Sequence, residues 1–245
     1  MLLDRFALIA DVHGNIWALD AVLADIERRG IRTIYDLGDS LCSPLEPVET
    51  ADRFIGLGIP SLLGNEDRIL IERNASTPNT RFTLQRLEPR HIDWLAVQPM
   101  TRQITDDILL CHGTPDSDTQ YLVEEVTRTG AQLRSIPGLR LLLLGRSESL
   151  IACGHSHVPR LIWRDTGRMV VNPGSVGLQA FTDLAPWPHG MESGSPHARY
   201  AIVTATKNGW VVDHIAVPYD HVTASACAAD NGRGDWAARL LTGRI

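Results

Sequence analysis

The first half of the chain alternates two kinds of segment, and this alternation limits the fold more than any other feature of the sequence. Short apolar runs of strand length, such as residues 6–10, are followed by longer stretches with apolar side chains at helical spacing, such as residues 16–30. A chain that alternates strands and helices in this way forms a parallel sheet covered by helices. The first half therefore predicts an α/β fold.

Other segments of the first half predict further elements. Apolar spacing, with a proline at the start or just after the end, predicts helices over residues 47–58 and 89–98. The apolar run at 59–65 predicts a strand, and the polar segment 74–83 predicts a loop.

The second half has a different pattern. We predict that residues 121–136 are mostly helical, while the apolar run at 138–145 fits helix and strand equally well. Residues 160–172 and 199–217 each read as two strands around a turn, which predicts a second, partly antiparallel sheet. The aperiodic segment 181–197, rich in proline, glycine and serine, predicts a long loop.

Composition limits the class of protein. With 245 residues, 44% of them hydrophobic, the chain can bury a full core, and we expect a single domain over residues 1–245 with a short C-terminal tail at 222–245. The net charge of -6, without long runs of either sign, argues against stable nucleic-acid binding and against binding to an anionic membrane. No segment approaches the roughly 20 apolar residues of a membrane span. The oligomeric state is left open.

The cysteines and the first residues bear on location. The four cysteines form no close pair, which is typical of reduced thiols rather than a disulfide framework. Asp4 and Arg5 interrupt the apolar residues at the start, so this stretch does not read as a secretory signal. We therefore expect a cytoplasmic protein.

Polar side chains follow five apolar runs at the point where each predicted strand ends. They are Asp11, His13, Asp39, Asn65, His112, His155 and His157. Because ligands of open α/β sheets bind at the carboxyl ends of the strands, we expect these seven side chains to converge. Two of the pairs are two residues apart, which predicts that each pair lies on one face of an extended chain.

Two carboxylates, one amide oxygen and four imidazoles are too many ligands for one tetrahedral ion. They suit two divalent transition-metal ions that share a carboxylate, and Mn, Fe, Ni, Co and Zn all fit these ligand types. Two such ions bring four positive charges and the two aspartates return only two negative ones. The remaining excess favours a small anionic substrate, and a phosphate ester is the obvious one.

The order of these motifs is also informative. They are Asp11-Val12-His13, Gly38-Asp39, Gly64-Asn65-Glu66-Asp67, His112-Gly113 and Gly154-His155-Ser156-His157. In this order the sequence resembles the calcineurin-like metallophosphoesterase superfamily. The segment Val171–Gly177 is similar to one found in the small bacterial branch with the YfcE-like phosphodiesterases. The resemblance implies a four-layer α/β/β/α sandwich of two mixed sheets flanked by helices.

The resemblance also implies a role for each ligand. One metal would be held by Asp11, His13, Asp39 and His157. Asp39 would bridge to a second metal, which Asn65, His112 and His155 complete, and a hydroxide between the metals would attack phosphorus. Asp39, Asn65 and His112 are the predicted catalytic residues of this centre.

Glu66 departs from the family pattern, since the resemblance implies a histidine at this position in many members, which steadies the transferring phosphoryl group or protonates the leaving oxygen. An ionised Glu66 would repel a phosphate, and only burial or a nearby anion would raise its pKa enough to make it an acid. Diesters and activated esters are therefore favoured over simple monoesters. We expect Asp67 to orient the loop without a direct role.

Gly14 and Asn15 open the first predicted helix and are candidates for contact with a substrate phosphate, because free N–H groups at a helix start bind anions. The alternative for Asn15 is an ordinary helix cap.

The sequence thus predicts a dinuclear-metal phosphoesterase acting on phosphodiesters or nucleotide-like substrates. One alternative is a catalytically silent scaffold of the same fold, similar to the retromer scaffold subunit, although every expected ligand position is filled here. A second alternative is a diadenosine-tetraphosphate hydrolase. Those enzymes typically continue the Gly-Asp motif with Asp-Arg-Gly, whereas this chain continues with Ser40 and Leu41.

Overall fold

Two mixed β-sheets form the middle of the computed structural model, which describes residues 5–245. The strands are β1 (Arg5–Ile9), β2 (Ile34–Asp36), β3 (Thr101–Thr105), β4 (Ile108–Cys111), β5 (Glu124–Thr127), β6 (Gly130–Leu133), β7 (Leu150–Ala152), β8 (Arg160–Asp165), β9 (Arg168–Asn172), β10 (Ala180–Asp183), β11 (His189–Glu192), β12 (Ala198–Thr206) and β13 (Gly209–Val217). The helices are α1 (Ile16–Arg28), α2 (Pro47–Leu57), α3 (Asn65–Ile71), α4 (Pro78–Leu84), α5 (Pro89–Ala96), α6 (Ile136–Leu142), α7 (His221–Asp230) and α8 (Gly234–Thr242).

The first sheet has the order β13-β12-β1-β2, and the second has the order β3-β4-β7-β9-β8. Strands β1 and β2 are parallel, as are β4, β7 and β9. Strands β12 and β13 in the first sheet and the edge strands β3 and β8 in the second pair antiparallel with their neighbours. The β8–β9 and β12–β13 pairs confirm the two strand pairs predicted from the sequence. The parallel strands point their carboxyl ends to the same edge, which is where the polar motifs follow.

The alternation of side chains along β1 explains how the layers stack. Ala7 and Ile9 face α1 and α2, in a cluster that includes Leu19 of α1. Phe6 and Leu8 point the other way and pack against strands of the second sheet. Because successive side chains of a strand lie on opposite faces, one five-residue strand contributes to two cores.

The second sheet is covered on its outer face by α6. Leu109 and Ile151 pack there against Leu139 and Leu143. The resulting order is helix, sheet, sheet, helix, so the predicted four-layer α/β/β/α sandwich is confirmed. The single domain stays a prediction. Within residues 5–245, no helix is both long and apolar enough to cross a membrane.

Three segment predictions were wrong. Residues 121–136 are mostly the hairpin β5–β6 rather than helix, because Gly130 adopts a φ of 113° at the turn and the Arg134 side chain donates to the carbonyl oxygens of Leu122 and Tyr121. Residues 181–197 are not one long loop, since β10 and β11 pair within them. Residues 74–83 contain α4, which begins where the Thr77 hydroxyl accepts a hydrogen bond from the Thr80 N–H.

Two further segments were settled by packing. The run at 138–145, which sequence left open, belongs mainly to α6. The strand predicted at 59–65 is reduced to a single parallel bridge between Asp36 and Ser61. The C-terminal tail forms α7 and α8, whose apolar residues join Leu45 and Leu178 in a core of their own beside the polar edge.

Candidate metal centre

The predicted ligands converge at the carboxyl edge of the two sheets. Six of them form two groups whose ligand atoms lie within 4.8 Å of one another in each group: Asp11, His13 and His157, and Asp39, His112 and His155. The Asp11–His13 pair stays within one group, whereas His155 and His157 are divided between the two. The seventh, Asn65, places its side-chain oxygen 3.1 Å from Nε2 of His112.

The backbone at these positions is not extended, which corrects the expectation that each pair lies on one face of a strand. Among residues 5–245, six residues other than glycine have a positive φ, and five of them belong to the two groups: Asp11, His13, Asp39, His155 and His157. Side chains with a Cβ rarely adopt this conformation, which costs about 1–3 kcal/mol per residue and is found mainly at functional sites. Left-handed turns after the strands, rather than strand alternation, therefore aim these side chains inward.

The histidines are held with one ring nitrogen free. Nδ1 of His13 donates to the carbonyl oxygen of Cys42 at 3.0 Å, and Nδ1 of His157 donates to that of Leu178 at 2.6 Å. This tautomer leaves the two Nε2 atoms with lone pairs, and they lie only 3.2 Å apart. Two lone pairs at this distance repel each other unless a cation or a proton lies between them, so the geometry fits a shared metal ion.

The histidines of the second group also donate one ring nitrogen to a backbone carbonyl oxygen, but His155 uses Nε2 where the others use Nδ1. Nδ1 of His112 donates to the carbonyl oxygen of Leu37 at 2.8 Å, which turns Nε2 toward the carboxylate of Asp39 at 3.3 Å. In His155, Nε2 donates to the carbonyl oxygen of Thr119 at 3.1 Å, so Nδ1 is the nitrogen left for a metal ion. The donor sets of both groups thus fit divalent metal ions.

The pKa values of the ligand side chains are shifted because these side chains are buried close to one another. Burial alone would lower the pKa of His112, but the charge of Asp39 and the hydrogen bond to it raise that pKa to about 10. Burial would raise the pKa of Asp39, but the nearby histidines, His112 first, hold it well below its usual range. Burial lowers the pKa of His155 to about 4 and lowers that of His157 well below its usual range. His155 and His157 are therefore neutral at pH 7, the form that binds a metal ion.

Asp67 supports the loop that carries Asp39. Its carboxylate accepts hydrogen bonds from the backbone N–H groups of Asp39 at 2.8 Å, Ser40 at 3.1 Å and Gly64 at 3.3 Å. A Cβ on Gly64 would lie 2.1 Å from Oδ1 of Asp39, so only glycine fits this approach. These contacts match the orienting role predicted for Asp67.

Glu66 lines the cavity above the two groups. Burial raises the pKa of its carboxyl group, and the charge of Asp39 raises it further. Its backbone N–H donates to Oδ1 of Asp39 at 2.9 Å. The two conditions under which a glutamate becomes an acid, burial and a nearby anion, are both present at this position.

Gly14 and Asn15 are placed differently from the phosphate-binding role considered for them. The Asn15 side chain is fully buried, where its oxygen accepts from the Ala18 N–H and its amide nitrogen donates to the Gly177 carbonyl oxygen. The Gly14 N–H donates to the carbonyl oxygen of Ser40. Both donors are used within the protein, so the structure gives Asn15 the helix-cap role that was the alternative.

A cavity of about 350 Å³ opens over the two groups. We call the seven predicted ligands the floor; five of them line the base of the cavity, and Asp11 and His112 lie buried beneath it. Sequence reasoning missed the residues of its upper walls, including Tyr121, Phe181, Arg233, Trp236 and Arg239. Three of these lie in the C-terminal tail, in which the sequence showed no chemistry. The Tyr121 ring lies 4.6 Å from that of His155, and its hydroxyl bonds Nε2 of His189 at 3.1 Å.

Comparison with known proteins identifies the family of this site. A model of the calcineurin-like phosphoesterase superfamily domain matches residues 5–186. The chain belongs to this superfamily. The superfamily is one of phosphoesterases, and the resemblance inferred from the motifs is confirmed.

Individual relatives extend over the whole chain. The uncharacterized protein MJ0912 of Methanocaldococcus jannaschii is 23% identical over 275 aligned positions and is covered completely, as is this chain. A metallophosphoesterase from Sphaerobacter thermophilus is similar in structure, with a TM-score of 0.77, 25% identity and coverage of 98% of this chain and 99% of that one. A putative diadenosine tetraphosphatase shares the fold, with a TM-score of 0.52, 14% identity and coverage of 89% and 95%.

Proposed function

We propose that this protein is a dinuclear-metal phosphodiesterase that acts on small anionic diesters, including nucleotide-like ones. The observation that carries the proposal is the pair of facing ligand groups, with the Asn65 oxygen beside them, at the base of one cavity. The superfamily supports phosphate-ester hydrolysis. The cytoplasmic location and the choice among Mn, Fe, Ni, Co and Zn belong to the same proposal.

Two bound metal ions would supply a nucleophile at neutral pH and neutralise the charge that develops on the phosphoryl oxygens. In the hydrolysis, a water oxygen forms a bond to phosphorus, the bond from phosphorus to the leaving oxygen breaks, and one proton of the water ends on that leaving oxygen. Asp39 and the histidines would hold the metal ions, and the side-chain oxygen of Asn65 would complete the second metal site.

Glu66 supports the preference for diesters. Its carboxyl group faces the position where the phosphate would bind, and a diester carries one negative charge where a monoester carries up to two. Because its pKa is raised, Glu66 can hold a proton and deliver it to the leaving oxygen, which is the task that histidine performs in many relatives.

The first test is hydrolysis of bis-p-nitrophenyl phosphate and p-nitrophenyl phosphate by metal-stripped protein, with Mn, Fe, Ni, Co, Zn or Mg added back. We expect metal-dependent cleavage with a higher kcat/KM for the diester. Asn65→Ala should abolish most of it, whereas Asn74→Ala, which changes an exposed asparagine outside the cavity, should leave it unchanged. Two bound ions without turnover of either ester would refute the proposal and favour the silent scaffold.

A further inference from the structure

The upper wall of the cavity carries two arginines that the hydrolysis at the floor does not use. We call five of its residues the rim: Asn79 of α4, Thr182 of β10, and Arg233, Trp236 and Arg239 of the C-terminal tail. The Arg233 and Arg239 side chains are only 20% and 16% exposed. Charged side chains are seldom this well covered at a surface unless they are held by partners.

The rim lies one aromatic ring away from the floor. The Trp236 ring is 6.0 Å from that of His13, and the Arg233 guanidinium carbon is 5.7 Å from the Trp236 ring. On the other side, the Phe181 ring is 4.5 Å from that of His157, and Arg239 bonds the residue next to Phe181. One molecule with a phosphate at the floor can therefore extend to either arginine.

Arg233 is oriented by two partners. Its Nε and one Nη donate to the two carboxylate oxygens of Asp235 at 2.8 and 2.7 Å, and its other Nη donates to the side-chain oxygen of Asn79. A guanidinium has five N–H donors, so two remain for a ligand. The fixed fork lowers the entropy that would be lost when an anion binds.

Arg239 has more donors to offer. One Nη donates to the Thr182 hydroxyl at 2.9 Å, and the other lies 3.7 Å from the Asp235 carboxylate, too far for a hydrogen bond. Asp235 thus stands between the two arginines. Asp183 also lines the cavity, where one of its carboxylate oxygens accepts from the backbone N–H groups of Leu184 and Ala185, so the two aspartates balance the charge of the two arginines and the wall offers unused N–H donors rather than a net charge.

We propose that Arg233 and Arg239 form a subsite for a second phosphate of the substrate, which makes diesters with an additional terminal phosphate the preferred substrates. This inference rests on the proposed hydrolysis at the floor and adds the substrate class to it. Arginine suits the role because its planar fork matches two phosphate oxygens. Nothing in the floor reaction requires these donors, since a simple diester has no second anion.

A matched series of dinucleotides tests the subsite. TpT has only the diester, whereas pTpT and TpTp each add one terminal phosphate, at opposite ends. We expect metal-loaded protein to cleave pTpT or TpTp with a kcat/KM about tenfold above that of TpT, the gain of one charged hydrogen bond. Which of the two is favoured shows on which side of the diester the rim lies.

The variants separate recognition from folding. Arg239→Gln should remove the advantage of the phosphorylated dinucleotide, mainly through KM, and leave TpT and bis-p-nitrophenyl phosphate unchanged. Arg244→Gln removes the same charge from an exposed arginine of the same tail and should keep the advantage. Equal kcat/KM for all three dinucleotides, with normal turnover of bis-p-nitrophenyl phosphate, would overturn the subsite while the proposed function stands.

If no diester is cleaved, calorimetric measurement of dinucleotide binding still tests the subsite separately from the proposed hydrolysis. In that case the proposed function fails, and binding of TpT, pTpT and TpTp to metal-stripped protein decides the subsite. Tighter binding of one phosphorylated dinucleotide, lost in Arg239→Gln and kept in Arg244→Gln, would support it. Equal binding of all three would overturn it.

Discussion

The floor and the rim of the cavity are built from different kinds of local structure. Floor residues such as Asp11 and His112 directly follow buried strands, are themselves almost completely buried, and mostly have left-handed backbone. Rim residues such as Arg233 and Arg239 lie at the start of a short surface helix or within it, with ordinary backbone and partly exposed side chains. The comparison suggests a division of labour in which the floor performs hydrolysis and the rim selects what is hydrolysed.

The largest effect is expected from loss of the carboxylate predicted to bridge the metals. Asp39→Ala should lower kcat/KM for every ester by more than about 100-fold, the upper range for losing a residue that only orients a ligand. Metal content, measured by mass spectrometry, should fall from two ions per chain. Asp230→Ala, an exposed aspartate at the end of α7, is the control. Full metal content and turnover in Asp39→Ala would contradict the assignment of the floor.

Damage to the rim should leave the floor intact. Trp236 is 4% exposed and packs with Leu45 and Leu240, so Trp236→Ala should lower the free energy of unfolding by about 3 kcal/mol, as for other buried aromatic residues. Thermal or urea unfolding measures this loss. The folded variant should still bind two metals and cleave bis-p-nitrophenyl phosphate. Loss of metal binding in the folded variant would show that floor and rim are not separable.

The loss of activity in Glu66→Gln should depend on the leaving group of the substrate. The variant cannot donate a proton, so cleavage of TpT, which has a poor alkoxide leaving group, should fall about 100-fold, the low end for general acid catalysis. Cleavage of bis-p-nitrophenyl phosphate should change little, because p-nitrophenolate leaves without a proton. Equal losses for both substrates would instead assign Glu66 to the structure of the floor.

The smallest effect is expected for a change outside both the floor and the rim, at Asp25 near the end of α1. Burial would raise the pKa of Asp25, but the Tyr200 hydroxyl at 2.6 Å and Arg29 at 2.7 Å outweigh it and lower that pKa. A lowered pKa stabilises the fold above the unfolded value of about 4 and this stabilisation is lost as the pH falls further.

Asp25→Asn should therefore unfold about 1 kcal/mol more easily at pH 7, with normal turnover. The difference from the native protein should shrink as the pH falls below about 4. Urea unfolding at several pH values measures it, and a difference that is constant with pH would show that the charge of Asp25 is not responsible.

Much of the fold and of the floor could be read from the sequence. The apolar runs that became β1, β4 and β7 are short, buried and followed by glycine or polar residues, so their ends marked the floor directly. What sequence could not give was how the side chains turn inward. The positive φ values of His13 and Asp39 arise because their backbone groups pair across neighbouring loops, such as the His13 N–H with the Asp39 carbonyl oxygen.

The sequence by itself determined the sandwich, the seven floor residues and the superfamily, because these depend on local patterns repeated along the chain. Only the tertiary structure decided that 181–197 contains a hairpin and that the C-terminal tail lines the cavity. Arg233 meets Asn79 from a distance of 154 residues, and Arg239 meets Thr182 from 57. Contacts between such distant segments produce no periodic pattern in the sequence, because they depend on how helices and hairpins pack against one another rather than on the local sequence of each element.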